Sequence, residues 1–318
     1  MRFLIAVFAA LLWAPLAHAA YPEKIIHIYV SAIPGSVPDV VIRLIGPKLT
    51  ELLGQEVVIE SKAGANGTLA ANEVARAAPD GYTFLATTAG TLTANPYLYP
   101  KTAAVAVSGL SPVTQIITSE FVVAAKSALN VKTLPELLDR LRKEPGKLTA
   151  ASSSHGSFPH LGAEMLKQKA KLDFTIAKMN GEPAAASALG GGHVDFVIGS
   201  PSLLESLVQG NQVVFLASTG AKRDPRMADL PTVAESGVAD YGLSGWIALA
   251  APRETPLAVR ETIQKAVAKA LQDPTIRDRL AGLHFTPVGS TPQEFEALIM
   301  KEREQMRQVI KDAGLATE

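Results

Sequence analysis

Apolar and polar positions along this chain follow two alternating periods. The run "KIIHIYV" is β-branched and almost continuously apolar, as expected of a strand covered on both faces. After "SAIPGSVPD", Val40, Val41, Leu44, Ile45, Leu49, Leu52 and Leu53 recur at helical spacing, and Gly54 supplies the stop. Pro47 falls inside that stretch, so a kink or an early end is expected there. "QEVVIES" predicts a second strand. "TLAANEVARAA" predicts a helix closed by Pro79-Asp80-Gly81, and "YTFLATT" a third strand. A β-α-β-α-β series implies a parallel sheet with helices on its faces.

A second series follows. "EFVVAAK", "KLTAASSS", "VDFVIGS" and "QVVFLAST" predict strands. "LPELLDRLRKEPG", "PHLGAEMLKQKA", "EPAAASALGGG" and "PSLLESLVQG" predict the helices between them. "LSGWIALAAP" predicts a strand returning to the first unit, and the tail predicts helices over 256–272 and 292–313. No solenoid-length repeat is present. The pattern predicts an α/β chain of two lobes, with crossovers near 119–123 and 243–250. The ligand crevice should then face the carboxyl ends of the strands.

Composition narrows the class. The 318 residues are 47% hydrophobic and 19% charged, which excludes a disordered chain. Lys+Arg and Asp+Glu number 30 each, so no electrostatic footprint points to nucleic acid or to a membrane surface. The opening "MRFLIAVFAALLWAPLAHAA" has one cation, Arg2, an apolar stretch and the small-x-small pattern Ala17-His18-Ala19. That predicts a secretory signal peptide over 1–19, cleaved after Ala19. A membrane anchor fits less well, because the run is short and Pro15 interrupts it. There is no cysteine. An exported chain without cysteine has neither disulfides nor a lipid-acceptor thiol, so a soluble periplasmic protein stabilised by its core is expected.

Three turns carry candidate chemistry. In the first, Ile33, Pro34, Gly35, Ser36 and Asp39 join a strand end to a helix start. Ser36-x-x-Asp39 has capping-box spacing, with Ser36 at the cap position. The free N–H groups and positive dipole of such a helix start suit an anion, and no Lys or Arg lies between Tyr29 and Ile42. An ordinary capped connection has the same pattern. In the second turn, Thr87, Thr88, Thr91 and Thr93 offer hydroxyls at a strand end, and Ala89-Gly90 frees the backbone. The third, "ASSSHGSFPHL", places Ser153, Ser157 and His160 at another strand-to-helix passage. Together they predict a cleft lined by donors in both lobes.

Other chemistries fit poorly. Ser152, Ser153, Ser154 and His155 are too close in sequence to orient one another as a nucleophile and base, and no G-x-S-x-G elbow exists. His155 and His160 have poor spacing for a shared metal, and no acid or cysteine joins them. No P-loop is present, and Gly190-Gly191-Gly192 reads as a helix stop. Asp195 reads as a turn cap or a hinge acceptor, and Trp246 as core or hinge packing or as ligand lining. No cofactor and no metal are expected.

Segments along nearly the whole mature chain resemble the extracytoplasmic solute receptors of tripartite tricarboxylate transporters, the Bug family. The resemblance runs from "YPEKIIHIYVSAIPGSVPDV" to "VGSTPQEF", and "AAPDGYT", "NPYLYP" and "DLPTVAESG" are its most specific pieces. It implies a type II periplasmic binding protein fold, two α/β lobes with a ligand cleft between them. On that reading, residues 20–119 plus 244–318 form lobe 1 and 120–243 form lobe 2. It also implies a ligand carboxylate held by backbone N–H groups and water at Ile33 to Ser36, with hydroxyls from Thr88, Thr91, Ser153 and Ser157 nearby. The implied function is capture of a small carboxylate for membrane transporter subunits, by a monomeric receptor that is not an enzyme. A receptor feeding a sensor kinase without transport is the alternative, and a serine hydrolase is the remote one.

Four positions depart from the family pattern. Ser36 replaces the usual second glycine of the first loop, where it could crowd the ligand or donate to it. Ala63-Gly64-Ala65-Asn66-Gly67 replaces Pro-Gly-Ala-Gly-Gly. Met179-Asn180-Gly181 replaces Tyr-Lys/Arg-Gly, and Gly199 stands where an acid is often found. These changes imply a distal pocket with little charge, suited to a neutral, small-polar or apolar ligand end.

Overall fold

The computed structural model describes residues 21–315; the expected signal peptide lies outside the described residues. Strand β1 (Ile26–Val30) buries Ile26, Ile28 and Val30 and leaves the alternate residues half-covered. Ser36 then opens helix α1 (Val37–Leu53), which turns Val37, Val41, Ile42, Ile45 and Leu49 inward. Burial of each such side chain contributes roughly 1.5–3 kcal/mol. The helix continues past Pro47 without an early end and stops at Gly54, whose φ of 66° is left-handed.

Strands β2 (Val57–Ser61) and β3 (Thr83–Thr88) flank β1 in parallel register, with Ile28 opposite both Ile59 and Phe84. Helix α2 (Thr68–Ala75) lies between them in sequence. Three short helices follow β3: α3 (Ala89–Thr93), α4 (Asn95–Leu98) and α5 (Pro100–Gly109). They lead into β4 (Leu110–Glu120), an eleven-residue strand absent from the hydrophobic pattern. Its Thr114 and Gln115 are buried by tertiary context, which erases the alternation.

At Phe121 the chain leaves the first sheet and enters β5 (Val122–Lys126). Helix α6 (Leu134–Lys143), β6 (Thr149–Ser152), α7 (Phe158–Lys169), β7 (Thr175–Lys178), α8 (Glu182–Gly190), β8 (Phe196–Gly199), α9 (Pro201–Gln209) and β9 (Val213–Ser218) complete the second sheet and its helices. The chain returns as β10 (Ser244–Pro252), then α10 (Leu257–Ala270), α11 (Pro274–Gly282), β11 (Phe285–Pro287) and α12 (Pro292–Asp312).

The first sheet has the order β11-β4-β10-β3-β1-β2 and the second β7-β6-β8-β5-β9. Neither is purely parallel, as the β-α-β pattern had implied. β10 is antiparallel to β3 and β4, and β5 to β8 and β9. β5 and β10, each entered directly after a passage between the sheets, run against their neighbours, and β11 runs against β4. The two passages are tied together. The Phe121 N–H donates to Thr219 Oγ1 at 3.1 Å, and that hydroxyl donates to the Leu243 carbonyl at 2.8 Å. Backbone bonds from Thr219 to Phe121 and from Leu243 to Thr219 complete the staple.

Helix α12 begins at a capping box, with Thr291 and Glu294 each accepting from the other's backbone. It packs on β4, α3 and α4 of the first body and on α7 of the second. Phe295, Ile299, Met306 and Ile310 on its buried face join one apolar cluster drawn from both bodies. The polar tie seen at Asp195 is local: its carboxylate accepts from the Thr149 N–H and pairs with Lys126.

Candidate functional site

A cavity of about 250 Å³ lies between the two sheets, where several strand ends and helix starts face each other. Among the sequence-derived candidates, Ile33, Ser36, Thr88, Ala89, Gly90, Ser153, Ser157 and Asn180 line it. Pro34, Gly35, Asp39, Thr91, His160 and Gly199 do not.

The first loop is built around Asp39. The expected capping box does not form: Ser36 occupies the cap position, but its side chain makes no cap bond. Its hydroxyl instead donates to the Ile33 carbonyl at 2.5 Å. Asp39 reaches further back, accepting from the Gly35 N–H at 3.0 Å, and also from Ser61 and Arg43 at 2.7 and 2.9 Å. Burial pushes the Asp39 carboxyl up, but these three donors outweigh it and hold it below its usual value. Gly35 sits at φ 77°, where only glycine is at ease. The Ser36 N–H is turned to the Ile33 carbonyl at 3.3 Å. The amides of Gly35 and Ser36 are therefore engaged within the loop. Among the described residues, the Ile33 N–H before the bend and the Val37 and Asp39 N–H groups in the first turn of α1 have no partner outside the helix.

The second wall runs from Thr88 into α3. Thr91 turns away from the cavity, its hydroxyl donating to the Asn66 carbonyl at 3.1 Å. Asn66 is a wall residue that the sequence reading treated only as part of a turn. It holds φ 50°, a left-handed geometry asparagine tolerates better than most residues. Asn66 Nδ2 donates to Asn95 Oδ1 at 2.8 Å, and the Ser154 hydroxyl donates to Asn66 Oδ1 at 3.2 Å. That last bond joins residues carried by the two different sheets. Gly67, at φ 86°, is needed here: a Cβ would come within 2.5 Å of Thr91 Oγ1.

The third wall is the start of α7. The Ser157 hydroxyl donates to the Ser154 carbonyl at 2.8 Å and accepts from the His160 N–H at 3.3 Å, capping the helix. His160 is buried behind this cap, with Nδ1 accepting from the Gly156 N–H at 3.2 Å. Burial first, then the neighbouring His155 and Lys178, push its imidazole down to about 4, so it is neutral at physiological pH. Neither His155 nor His160 hydrogen-bonds a serine hydroxyl through its ring among the described residues.

The far wall adds Glu182 and Ser200, which are not among the sequence-derived candidates, beside Gly181 of the departing Met179-Asn180-Gly181 segment. Gly181, Glu182 and Ser200 line the cavity, and Glu182 Oε2 accepts from the Ser200 N–H at 3.0 Å. Burial pushes the Glu182 carboxyl up, and the Ser200 donors oppose it. The distal pocket thus holds one carboxyl group, Glu182, and no Lys or Arg among the described residues. Gly199 lies behind this wall beside a separate small void. Phe121, Phe158 and Trp246 give the cavity its apolar surface. Trp246 packs edge-on to Phe295 at 5.0 Å, so it is at once core and lining.

The electrostatic design follows from these pieces. The starts of α1, α7, α8 and α9 contribute Val37, Phe158, Glu182 and Ser200 to one cavity, and no Lys or Arg lines it. Ile33 from one body and Gly181 from the other stand so close that a Cβ on Gly181 would meet Ile33 Cδ1 at 2.8 Å.

Two α/β lobes stapled at paired passages around a cleft between them define a bilobal solute receptor with the type II periplasmic binding fold. The chain belongs to the tripartite tricarboxylate transporter family receptors, whose family model matches residues 41–315. BugT of Bordetella pertussis is 28% identical over 303 residues, spanning 95% of this chain and 93% of that protein. An R. palustris protein solved with adipate superposes with a TM-score of 0.88 at 29% identity, over 93% of this chain and 99% of that one. MatC from Rhodopseudomonas palustris with bound malate gives a TM-score of 0.82 at 28% identity, over 91% and 100%. Among the described residues no helix is long and apolar enough to cross a membrane.

Proposed function

We propose that this receptor captures a small carboxylate in the periplasm by closure of its two lobes and hands it to the membrane subunits of a tripartite tricarboxylate-type transporter. The observation that carries this reading is the convergence of four helix starts on one cavity without a Lys or Arg on its wall. Open N–H groups at Ile33, Val37 and Asp39 supply dipoles for the anion, and Thr88, Ser153 and Asn180 supply polar groups around it. Similarity to proteins solved with adipate and malate points the same way.

On this reading residues 20–119 with 244–318 act as one lobe and 120–243 as the other, moving about the Phe121–Thr219–Leu243 staple. Residues 1–19 direct export and are removed, leaving a monomer that performs no chemistry on its ligand. A thermal-shift screen of aliphatic carboxylates tests it, since a ligand that binds only the folded form raises the melting temperature. A positive compound should show one-to-one calorimetric binding and remain chemically intact. No response across mono-, di- and amino-carboxylates would overturn the proposal.

A further inference from the structure

Among the described residues Glu182 is the single acid on the cavity wall, and no Lys or Arg lines it. It forms no ion pair among the described residues, and the only groups acting on it are those of Ser200. Its position at the first turn of α8 and its bond to the Ser200 N–H give it two helix starts, but burial outweighs them and pushes the carboxyl up, so a bound positive group is what would hold it ionised. Phe121, Phe158 and Trp246 surround the same space with apolar surface. A carboxylate desolvated in such a place is costly unless a positive group meets it.

The start of α1, whose loop approaches Gly181 through Ile33, has the reverse character. There the Ile33, Val37 and Asp39 N–H groups are open, and the nearby acid, Asp39, is already consumed by Gly35, Ser61 and Arg43. One part of the cavity wall is therefore built for a negative group and another for a positive one. We infer that Glu182 sets ligand choice, selecting an amino-carboxylate whose ammonium meets Glu182 while its carboxylate lies at the start of α1. This inference rests on the carboxylate-receptor reading and narrows it. A dicarboxylate of the same length places its second charge against Glu182 and is disfavoured.

Matched probe pairs test the inference: 4-aminobutyrate against glutarate, 5-aminopentanoate against adipate, and 6-aminohexanoate against pimelate, each by calorimetry at neutral pH. The wild-type receptor should prefer the amino member of the fitting pair by tenfold or more. Glu182→Gln keeps an oxygen to accept the Ser200 N–H, so the fold and the α9 cap persist, which a melting curve checks. It should lose tenfold or more in amine affinity and gain in dicarboxylate affinity. If Glu182 merely caps α9, this preference will not change, and that outcome overturns the inference. Dicarboxylates binding the wild type as well as their amino partners would also overturn it, while leaving carboxylate capture standing. Silence from both members of every pair would overturn the inference and leave the carboxylate reading to the wider thermal-shift screen.

Discussion

The indole Nε1 of Trp246 donates to Glu302 Oε2 at 2.8 Å, linking a residue of the cavity wall to the middle of the last helix. Burial pushes the Glu302 carboxyl up to about 7, against the pull of the Trp246 bond and of Lys301. The folded protein then holds this proton over a range in which the unfolded chain has lost it. Stability from this group is fully present below the ordinary glutamate value and declines as pH rises through about 7. Glu302→Gln should flatten that slope and be more stable than wild type at pH 8, by on the order of 1–3 kcal/mol. Urea unfolding at pH 5 and pH 8 measures it, and parallel pH profiles for both proteins would exclude the effect.

The first loop gives a second expectation. Gly35→Ala forces a Cβ onto a φ of 77°, and although space is open there the backbone is strained, by about 1 kcal/mol. Asp39→Ala strips the acceptor from the Gly35 N–H, Ser61 and Arg43, and should cost about 2–3 kcal/mol. Because Asp39 is held below its usual value, its contribution is present at neutral pH and disappears as the solution is acidified through that lowered value. Chemical denaturation at pH 7 and pH 3 should show the Asp39→Ala deficit shrinking in acid.

Ser36 offers a test of the anion-binding end. Ser36→Asp introduces a carboxylate between the open amides and the cavity, where it competes with the ligand for the dipoles and repels it. Calorimetry with whichever carboxylate raises the wild-type melting point should register no heat with the variant. Undiminished affinity would move the ligand's charged end elsewhere in the cavity.

Thr219→Val tests the staple between the two passages. The change is nearly isosteric but leaves the Phe121 N–H without its hydroxyl acceptor and the Leu243 carbonyl without its donor. A loss of about 1–3 kcal/mol is expected for these buried groups. Equal stability in guanidinium melts would mean the backbone bonds between Thr219 and its two neighbours suffice.

The parts of the fold most legible in the sequence were those fixed by local pattern. β1, α1 and Gly54 are written in apolar spacing and one left-handed glycine, and the structure follows them closely. β4 was hidden because Thr114 and Gln115 are buried by neighbours that lie far away in the chain. α11 was hidden because only Ile276 and Leu280 of its nine residues are buried, too few to mark a stripe. At the site, the three strand-end turns were visible as clusters of Ser, Thr and Gly. Glu182 was not, because an acid in the first turn of a helix is ordinary in any sequence. Only the cavity in front of it makes it exceptional. Asn66 escaped notice for a similar reason: asparagine in a glycine-rich turn signals backbone shape, not a bond from Ser154 across the cleft.

Because α12 rests on both bodies at once, any hinge rotation must slide it along α7 or along β4. The carboxyl-terminal stretch thereby becomes a gauge of jaw angle. A fluorophore at Met300, the most exposed large apolar side chain of that helix, would report gripping and release from outside the pocket without touching the solute.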